Sequence, residues 1–313
     1  MKESVVGIDL GFGWTKAGHN GQFFRCPSVV GEAVNLFESP TGIENNIQLW
    51  YNDQHYFVGE LAIRQATIKY FSMAANKARS DISAILAATA LAALKPGRVN
   101  IVTGLPVDFY FQYKDDLDNQ LQHLPNRVRI QMDNKTYNCA LEVQQTKIVP
   151  QPLGSAMSLI LDSRGNTIDH RLASKNILVV DVGFHTLDIL ALSALEIIRP
   201  FSFTRPLGMA VAYKGISQDL GGLPLYDVDR LFIKNQLQNH TAAFQSLARQ
   251  ITEEIAGLNQ KFDHYLITGG GGAQLYNWLL PGFERILVPD AQQANVVGYQ
   301  KLGAKTWSKR NIS

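Results

Sequence analysis

The sequence has little cysteine: two residues in 313, Cys26 and Cys139. Two cysteines cannot build a disulfide framework or a four-ligand zinc site. Charge is also sparse, at 18% Asp, Glu, Lys and Arg, and the net charge is only +2. So weak a balance gives no global field for holding nucleic acid. A hydrophobic content of 46% excludes a disordered chain. Long apolar runs are missing. The longest, Ile85 to Leu94, is too short to span about 30 Å of hydrocarbon. Met1-Lys2-Glu3-Ser4 leads straight into Val5-Val6-Gly7-Ile8, without the apolar region and cleavage site of a signal peptide. The expected setting is soluble, reducing and cytoplasmic, with no membrane contact.

Several chemical signatures are absent too. No Gly-x-x-x-x-Gly-Lys-Ser/Thr loop occurs, and Gly11-Phe12-Gly13 is followed by Trp14-Thr15-Lys16, without the third glycine of a dinucleotide fingerprint. There is no Gly-x-Ser-x-Gly nucleophile elbow. The seven histidines form no His-x-x-x-His pair, so a transition-metal site is not expected.

What is present is a pattern of short strands, glycine turns and a few helices. The length predicts one large or two medium domains. Val5–Asp9 reads as a strand broken by Gly11-Phe12-Gly13 and resumed at Trp14–Gly18. Asn20-Gly21 then signals a hairpin to Gln22–Arg25. Ser80-Asp81 predicts the cap of a helix that ends at Lys95-Pro96-Gly97. Further helices are expected over Gly154–Leu161, over most of Tyr226–Leu258 and over Ala291–Lys309. Strands are expected at Val99–Gly104, Ile177–Gly183, Thr186–Leu192 and His264–Thr268. The last strand runs into four glycines, Gly269 to Gly272, read as a turn.

The informative feature is an internal repeat. Val6-Gly7-Ile8-Asp9-Leu10-Gly11 matches Leu178-Val179-Val180-Asp181-Val182-Gly183, and a second strand follows each copy. Two such hairpins each supply a carboxylate at a strand end and a tight turn of backbone N–H groups, which suits phosphate. Carboxylates repel phosphate directly, so Asp9 and Asp181 make sense with a cation between. Mg²⁺ fits, because it is held by one or two carboxylates plus waters and phosphates. Lys16 could neutralise phosphate charge. The Gly269–Gly272 turn would let a flat ring or a phosphate approach the backbone closely.

These residues carry a family resemblance. Asp9-Leu10-Gly11-Phe12-Gly13-Trp14-Thr15-Lys16 resembles the first phosphate loop of the actin, sugar kinase and heat-shock chaperone ATPase superfamily. Asp181-Val182-Gly183-Phe184-His185-Thr186-Leu187-Asp188 resembles its second phosphate loop, and Ile267-Thr268-Gly269-Gly270-Gly271-Gly272-Ala273 its adenosine motif. Pro150–Ala156 and Ala294–Tyr299 resemble its two connecting helices. Within the superfamily the chain is most similar to the prokaryotic actin-like branch of ParM-type plasmid-segregating and archaeal actins. Pro27–Gly31, Tyr56–Ala62 and Thr103–Val107 carry that likeness.

The resemblance implies an α/β, two-lobed actin-like fold, each lobe built on an RNase H-like mixed sheet flanked by helices, with nucleotide in the interlobe cleft. The first lobe would be residues 1–165, with an inserted subdomain at about 32–75, plus the C-terminal helix at about 291–313. The second would be 166–290, with an insertion at about 206–262. Asp9 and Asp181 would hold Mg²⁺ through water. Gly11, Phe12, Gly13, Trp14, Thr15 and Lys16 in the first loop, and Gly183, Phe184, His185 and Thr186 in the second, would line the phosphates of ATP or GTP. Gly269, Gly270, Gly271 and Gly272 would meet the adenosine. Gln151 and Asp181 would be catalytic, Gln151 by orienting the attacking water rather than as a base.

Two departures stand out. Phe12 replaces a serine of conventional actin, and Phe184-His185 replace a pair of glycines. If position 185 needs a positive φ, histidine there is strained. Asp188 is left without a role. The implied function is a slow, polymerising nucleoside triphosphatase, with plasmid segregation as its expected role. Its partners would be copies of itself and a DNA-bound adaptor, without direct nucleic-acid binding. The alternatives are a cytoskeletal actin for shape or organelle positioning, a small-molecule kinase, or a non-polymerising assembly ATPase of the same fold. Lys301, Lys305 and Lys309 share one face of the last helix and read either as a solvated helix end or as contacts for an acidic neighbour.

Overall fold

A computed structural model describes residues 4–307 except 39, 43–44, 72–80, 134, 235 and 238–239. The chain divides into two compact units. One comprises the residues up to Ile168 together with those from Asn295 onward; the other is Asp169–Ala294.

The first unit begins with β1 (Ser4–Leu10), β2 (Trp14–His19), β3 (Gln22–Pro27) and β4 (Val29–Glu32). β5 (Ile47–Tyr51), β6 (Gln54–Val58), helix α1 (Glu60–Gln65) and β7 (Lys69–Phe71) follow. Then come α2 (Asp81–Leu94), β8 (Arg98–Leu105), α3 (Val107–Gln122), β9 (Arg127–Met132), β10 (Lys135–Ala140), β11 (Glu142–Pro150) and α4 (Gln151–Ile160). One sheet has the order β11-β8-β1-β2-β3, with β1–β2–β3 antiparallel and β8 and β11 parallel to β1. A second, antiparallel sheet has the order β10-β9-β5-β6-β4-β7. It joins the 127–140 hairpin to β5, about eighty residues earlier. That partnership depends on long-range pairing and leaves no local signature.

α2 explains how the two sheets share a core. It is apolar on nearly every side, and Ser83 to Ala92 are all buried. A helix of that kind belongs inside, and α2 packs against β1, β2 and β3 of one sheet and β4 and β9 of the other. Asp81 lies in its first turn, where a carboxylate favours the helix dipole. Lys95 and Gly97, both at positive φ, end it around Pro96. Ser80, the expected cap, lies outside the described residues.

The second unit contains α5 (His170–Ala173), β12 (Asn176–Val182), β13 (Leu187–Ser193), β14 (Glu196–Ile197), β15 (Phe203–Arg205), α6 (Ala210–Asp219), α7 (Leu225–Ile233) and α8 (Thr241–Ala256). β16 (His264–Thr268), α9 (Gly269–Leu275) and β17 (Arg285–Leu287) complete it. Its sheet has the order β14-β13-β12-β16-β17, with β15 on β13. β12–β13–β14 are antiparallel, whereas β16 and β17 run parallel to β12. This is the arrangement of β3-β2-β1-β8-β11. The sequence repeat is therefore a repeat of topology, and Asp9 and Asp181 occupy the central strand of each copy.

Of the helix expectations, one holds and two are revised. Tyr226–Leu258 is mostly helical, as expected, in two helices, α7 and α8. The four glycines do not form a turn but open α9. The last helix, α10, is Ala294–Trp307, shorter than expected at its start.

α10 also accounts for much of the glycine. Gly7 and Gly18 face each other across β1 and β2. A Cβ on Gly7 would overlap the Val296 carbonyl oxygen, and one on Gly18 would lie 2.8 Å from Val296 Cγ1. A Cβ on Gly298 would overlap the Gly154 carbonyl, so α10 crosses α4 at backbone contact. Asn295 Oδ1 accepts from the Ser155 backbone N–H at 3.0 Å and from its hydroxyl at 2.7 Å, fixing that crossing. The Lys301 ammonium donates to the Ser158 carbonyl at 2.6 Å, in the last turns of α4. That lysine complements a neighbouring helix end and is not free for a partner. Lys309 lies outside the described residues.

Candidate functional site

The first half-site is set by the β1–β2 register, which places Lys16 opposite Asp9. Asp9 is 3% exposed. Burying a carboxylate is costly unless it is paired, and both of its oxygens have partners. Lys16 Nζ lies 3.5 Å from Oδ2, and Gln151 Nε2 donates to Oδ1 at 3.0 Å. Gln151 is the first residue of α4, and its carbonyl accepts from the Tyr299 hydroxyl at 3.1 Å. α10 thus fixes the residue that reaches Asp9.

The turn between β1 and β2 is braced from below by Ser28, which sequence reasoning missed. The Ser28 hydroxyl donates to the Gly11 carbonyl at 2.6 Å, and its N–H donates to the Gly13 carbonyl at 2.9 Å. With its proton given to Gly11, Ser28 Oγ accepts from Thr15 Oγ1 at 2.9 Å. The Thr15 side chain is therefore buried in the brace and unavailable as a direct phosphate donor. A Cβ on Gly11 would lie 2.7 Å from the Trp14 carbonyl oxygen, so only glycine fits the turn. Phe12 packs edge-on against Phe109 of α3, at 6.3 Å between ring centres. Arg25 lies over the Trp14 ring at 5.6 Å.

In the second half-site Asp181 is 5% exposed and pairs in register with Asp188 on β13 and Thr268 on β16. The Gly183 N–H donates to the Thr186 carbonyl at 2.8 Å, which closes the turn. Three backbone bonds strap that turn to the start of α6: Gly208 N–H to His185 O, Met209 N–H to Gly183 O and Ala210 N–H to Phe184 O, at 3.2, 3.0 and 2.7 Å. The backbone at His185 does not enter the left-handed region, so histidine is unstrained there. Burial and the nearby Lys214 ammonium hold its pKa below the usual value, which favours a neutral ring.

Phe184 points into the core, stacked on Tyr226 at 5.5 Å and tilted against Tyr213 at 5.8 Å. It replaces a glycine by filling an aromatic cluster rather than by meeting a ligand. The Thr186 hydroxyl donates to Asp188 Oδ2 at 2.9 Å. Asp188, left unassigned from the sequence, is 3% exposed and central to this turn.

Two of the four glycines at α9, Gly269 and Gly271, are required by packing, and a third is tightly packed. A Cβ on Gly269, whose φ is +81°, would overlap Asp181 Oδ1. One on Gly271 would lie 2.7 Å from Met209 Cγ, and one on Gly272 3.2 Å from Ile267 Cγ2. Gly270 is different: its nearest neighbour, the Gln292 side chain, is 3.5 Å away. A Cβ there would make only ordinary van der Waals contact with that side chain.

Residues 7–154 match the family described as actin-like proteins, N-terminal domain. No curated protein is significantly similar in sequence. Among solved structures, a 15-stranded ParM filament from Clostridium botulinum superposes with a TM-score of 0.76 at 26% identity, covering 97% of this chain and 99% of that one. A non-polymerisable ParM quadruple mutant gives 0.74 at 24% identity, with 96% and 99% covered. An archaeal actin homologue in complex with ADP gives 0.74 at 19% identity, with 96% and 98% covered. The α/β fold is that of the prokaryotic actin-like proteins.

Proposed function

We propose that this actin-like protein of ParM type binds Mg²⁺-ATP or Mg²⁺-GTP, hydrolyses it slowly and assembles with copies of itself into filaments. The cellular role we assign is plasmid segregation, with a DNA-bound adaptor carrying the cargo. One observation carries the reading: the same five-strand arrangement occurs twice, and each copy ends its central strand in a buried Asp beside a tight glycine turn. The filament of one structural relative and the ADP complex of another support it.

In this reading Asp9 and Asp181 would help to hold a magnesium ion. Asp9 and Asp181 are hard oxygen donors. Among the described residues no group of three or more His, Cys, Asp or Glu could hold a metal. Waters and phosphate oxygens would complete the shell, as is usual for Mg²⁺. When bound, the ion would neutralise phosphate charge. Lys16 is the counter-ion of Asp9; a cation at Asp9 would take over that role and leave the ammonium to phosphate. Gln151, with Nε2 committed to Asp9, presents Oε1 to accept a hydrogen bond from the attacking water. Gly270 is where a nucleobase could lie against the backbone.

Phosphate release under steady state tests the site. Asp181→Ala should abolish Mg²⁺-dependent hydrolysis, and Gln151→Ala should lower kcat by about 10²-fold, at the small end of what a positioned side chain contributes. Wild-type turnover in Asp181→Ala would show that the second half-site is not a phosphate site.

A further inference from the structure

The second half-site has a hydrogen-bond polarity that phosphate binding does not explain. Asp188 accepts twice: from Thr186 Oγ1 at its Oδ2, 2.9 Å away, and from Thr204 Oγ1 at its Oδ1, 2.6 Å away. A hydroxyl has one proton to give, and an ionised carboxylate only accepts. The Thr186 proton is therefore committed inward, and its oxygen offers lone pairs alone. A phosphate oxygen is likewise an acceptor, so this hydroxyl cannot serve it while the bond to Asp188 stands. The complementary ligand is a donor. Water bound to a metal is such a donor, because its own lone pair is on the cation and its protons point outward. Asp181, the carboxylate proposed for the magnesium shell, is the cross-strand neighbour of Asp188.

Resting on the nucleotide reading above, we propose that Asp188 is a positioning residue that makes Thr186 Oγ1 an acceptor for Mg²⁺-bound water, working beside Asp181. Phosphate contact at this turn then falls to backbone N–H groups. Thr204 holds the other oxygen of Asp188 and keeps the carboxylate turned toward Thr186. In Asp188→Asn the amide can donate to Thr186, freeing the hydroxyl proton and reversing the polarity of the oxygen.

The test is nucleotide affinity by calorimetry, in Mg²⁺ and in EDTA, with thermal melting to confirm folding. In the wild type Mg²⁺ should tighten binding. In Asp188→Asn that enhancement should fall at least 10-fold, the usual cost of losing an outer-shell partner, while affinity in EDTA changes little. Thr186→Val should show the same selective loss, and the double variant should lose no more than Thr186→Val alone, because Asp188 acts through Thr186. If Asp188→Asn fails to fold, the Thr186→Val result decides: undiminished Mg²⁺ enhancement overturns the inference. So does an Asp188→Asn variant that weakens binding equally in Mg²⁺ and EDTA, or a double variant whose losses multiply. A wild type that binds no nucleotide in either buffer overturns the proposed function and this inference together.

Discussion

His185 shows how a residue that breaks a family pattern can be absorbed by its surroundings. Its ring lies 4.6 Å from that of Phe184, and its carbonyl accepts from Gly208. Burial, reinforced by Lys214, disfavours the imidazolium. The folded pKa lies below the unfolded value of about 6.5, so the stabilisation is complete above that pH. As pH falls below about 6.5 the unfolded chain takes up a proton that the folded chain refuses, and stability declines until the folded pKa is passed. Urea unfolding from pH 7.5 to 5 should therefore show a decline that His185→Gln reduces. His55, lowered by its own burial and by Arg129, adds a similar slope in both proteins and cancels in the difference. Identical slopes would show that His185 is protonated freely in the folded state. Cys26 is a contrast: burial pushes its thiol up to about 12, leaving it inert at physiological pH.

Among the elements, α10 organises the first half-site by packing rather than by contact with ligand. It rests on Gly7 and Gly18, crosses α4 at Gly154 and Gly298, and fixes Gln151 through Tyr299. Gly298→Ala would drive a methyl group into the Gly154 backbone, which cannot rotate away. Overpacking of this kind costs about 1–3 kcal/mol or more. Gly215, in the middle of α6, has nothing within 4 Å of its Cβ position. Gly215→Ala should stabilise by about 0.5–1 kcal/mol through helix propensity. Denaturant midpoints of the two variants should move in opposite directions. A neutral Gly298→Ala would mean that the two helices do not touch.

Legibility in the sequence divides along the same line. The β1–β2 and β12–β13 hairpins were readable, because strand-forming residues and glycine turns signal locally. The carboxylates of Asp9 and Asp181 were readable because the repeat aligned them. What the glycines do was not, since α10 approaches Gly7 from almost three hundred residues away. Ser28 and Asp188 were also hidden. Their importance lies in which protons they accept or give, and spacing along a chain does not encode that.

For the whole molecule, duplication is the organising fact. Two sheets share one strand order, and each presents one buried carboxylate at its centre. The proposed assembly requires a surface that changes with nucleotide and so favours or releases a neighbouring copy. Light scattering on addition of Mg²⁺-ATP or Mg²⁺-GTP tests this most directly. Scattering should rise above a threshold protein concentration with at least one nucleotide and stay flat in EDTA. No rise with either nucleotide across a wide range of protein concentration would contradict the account.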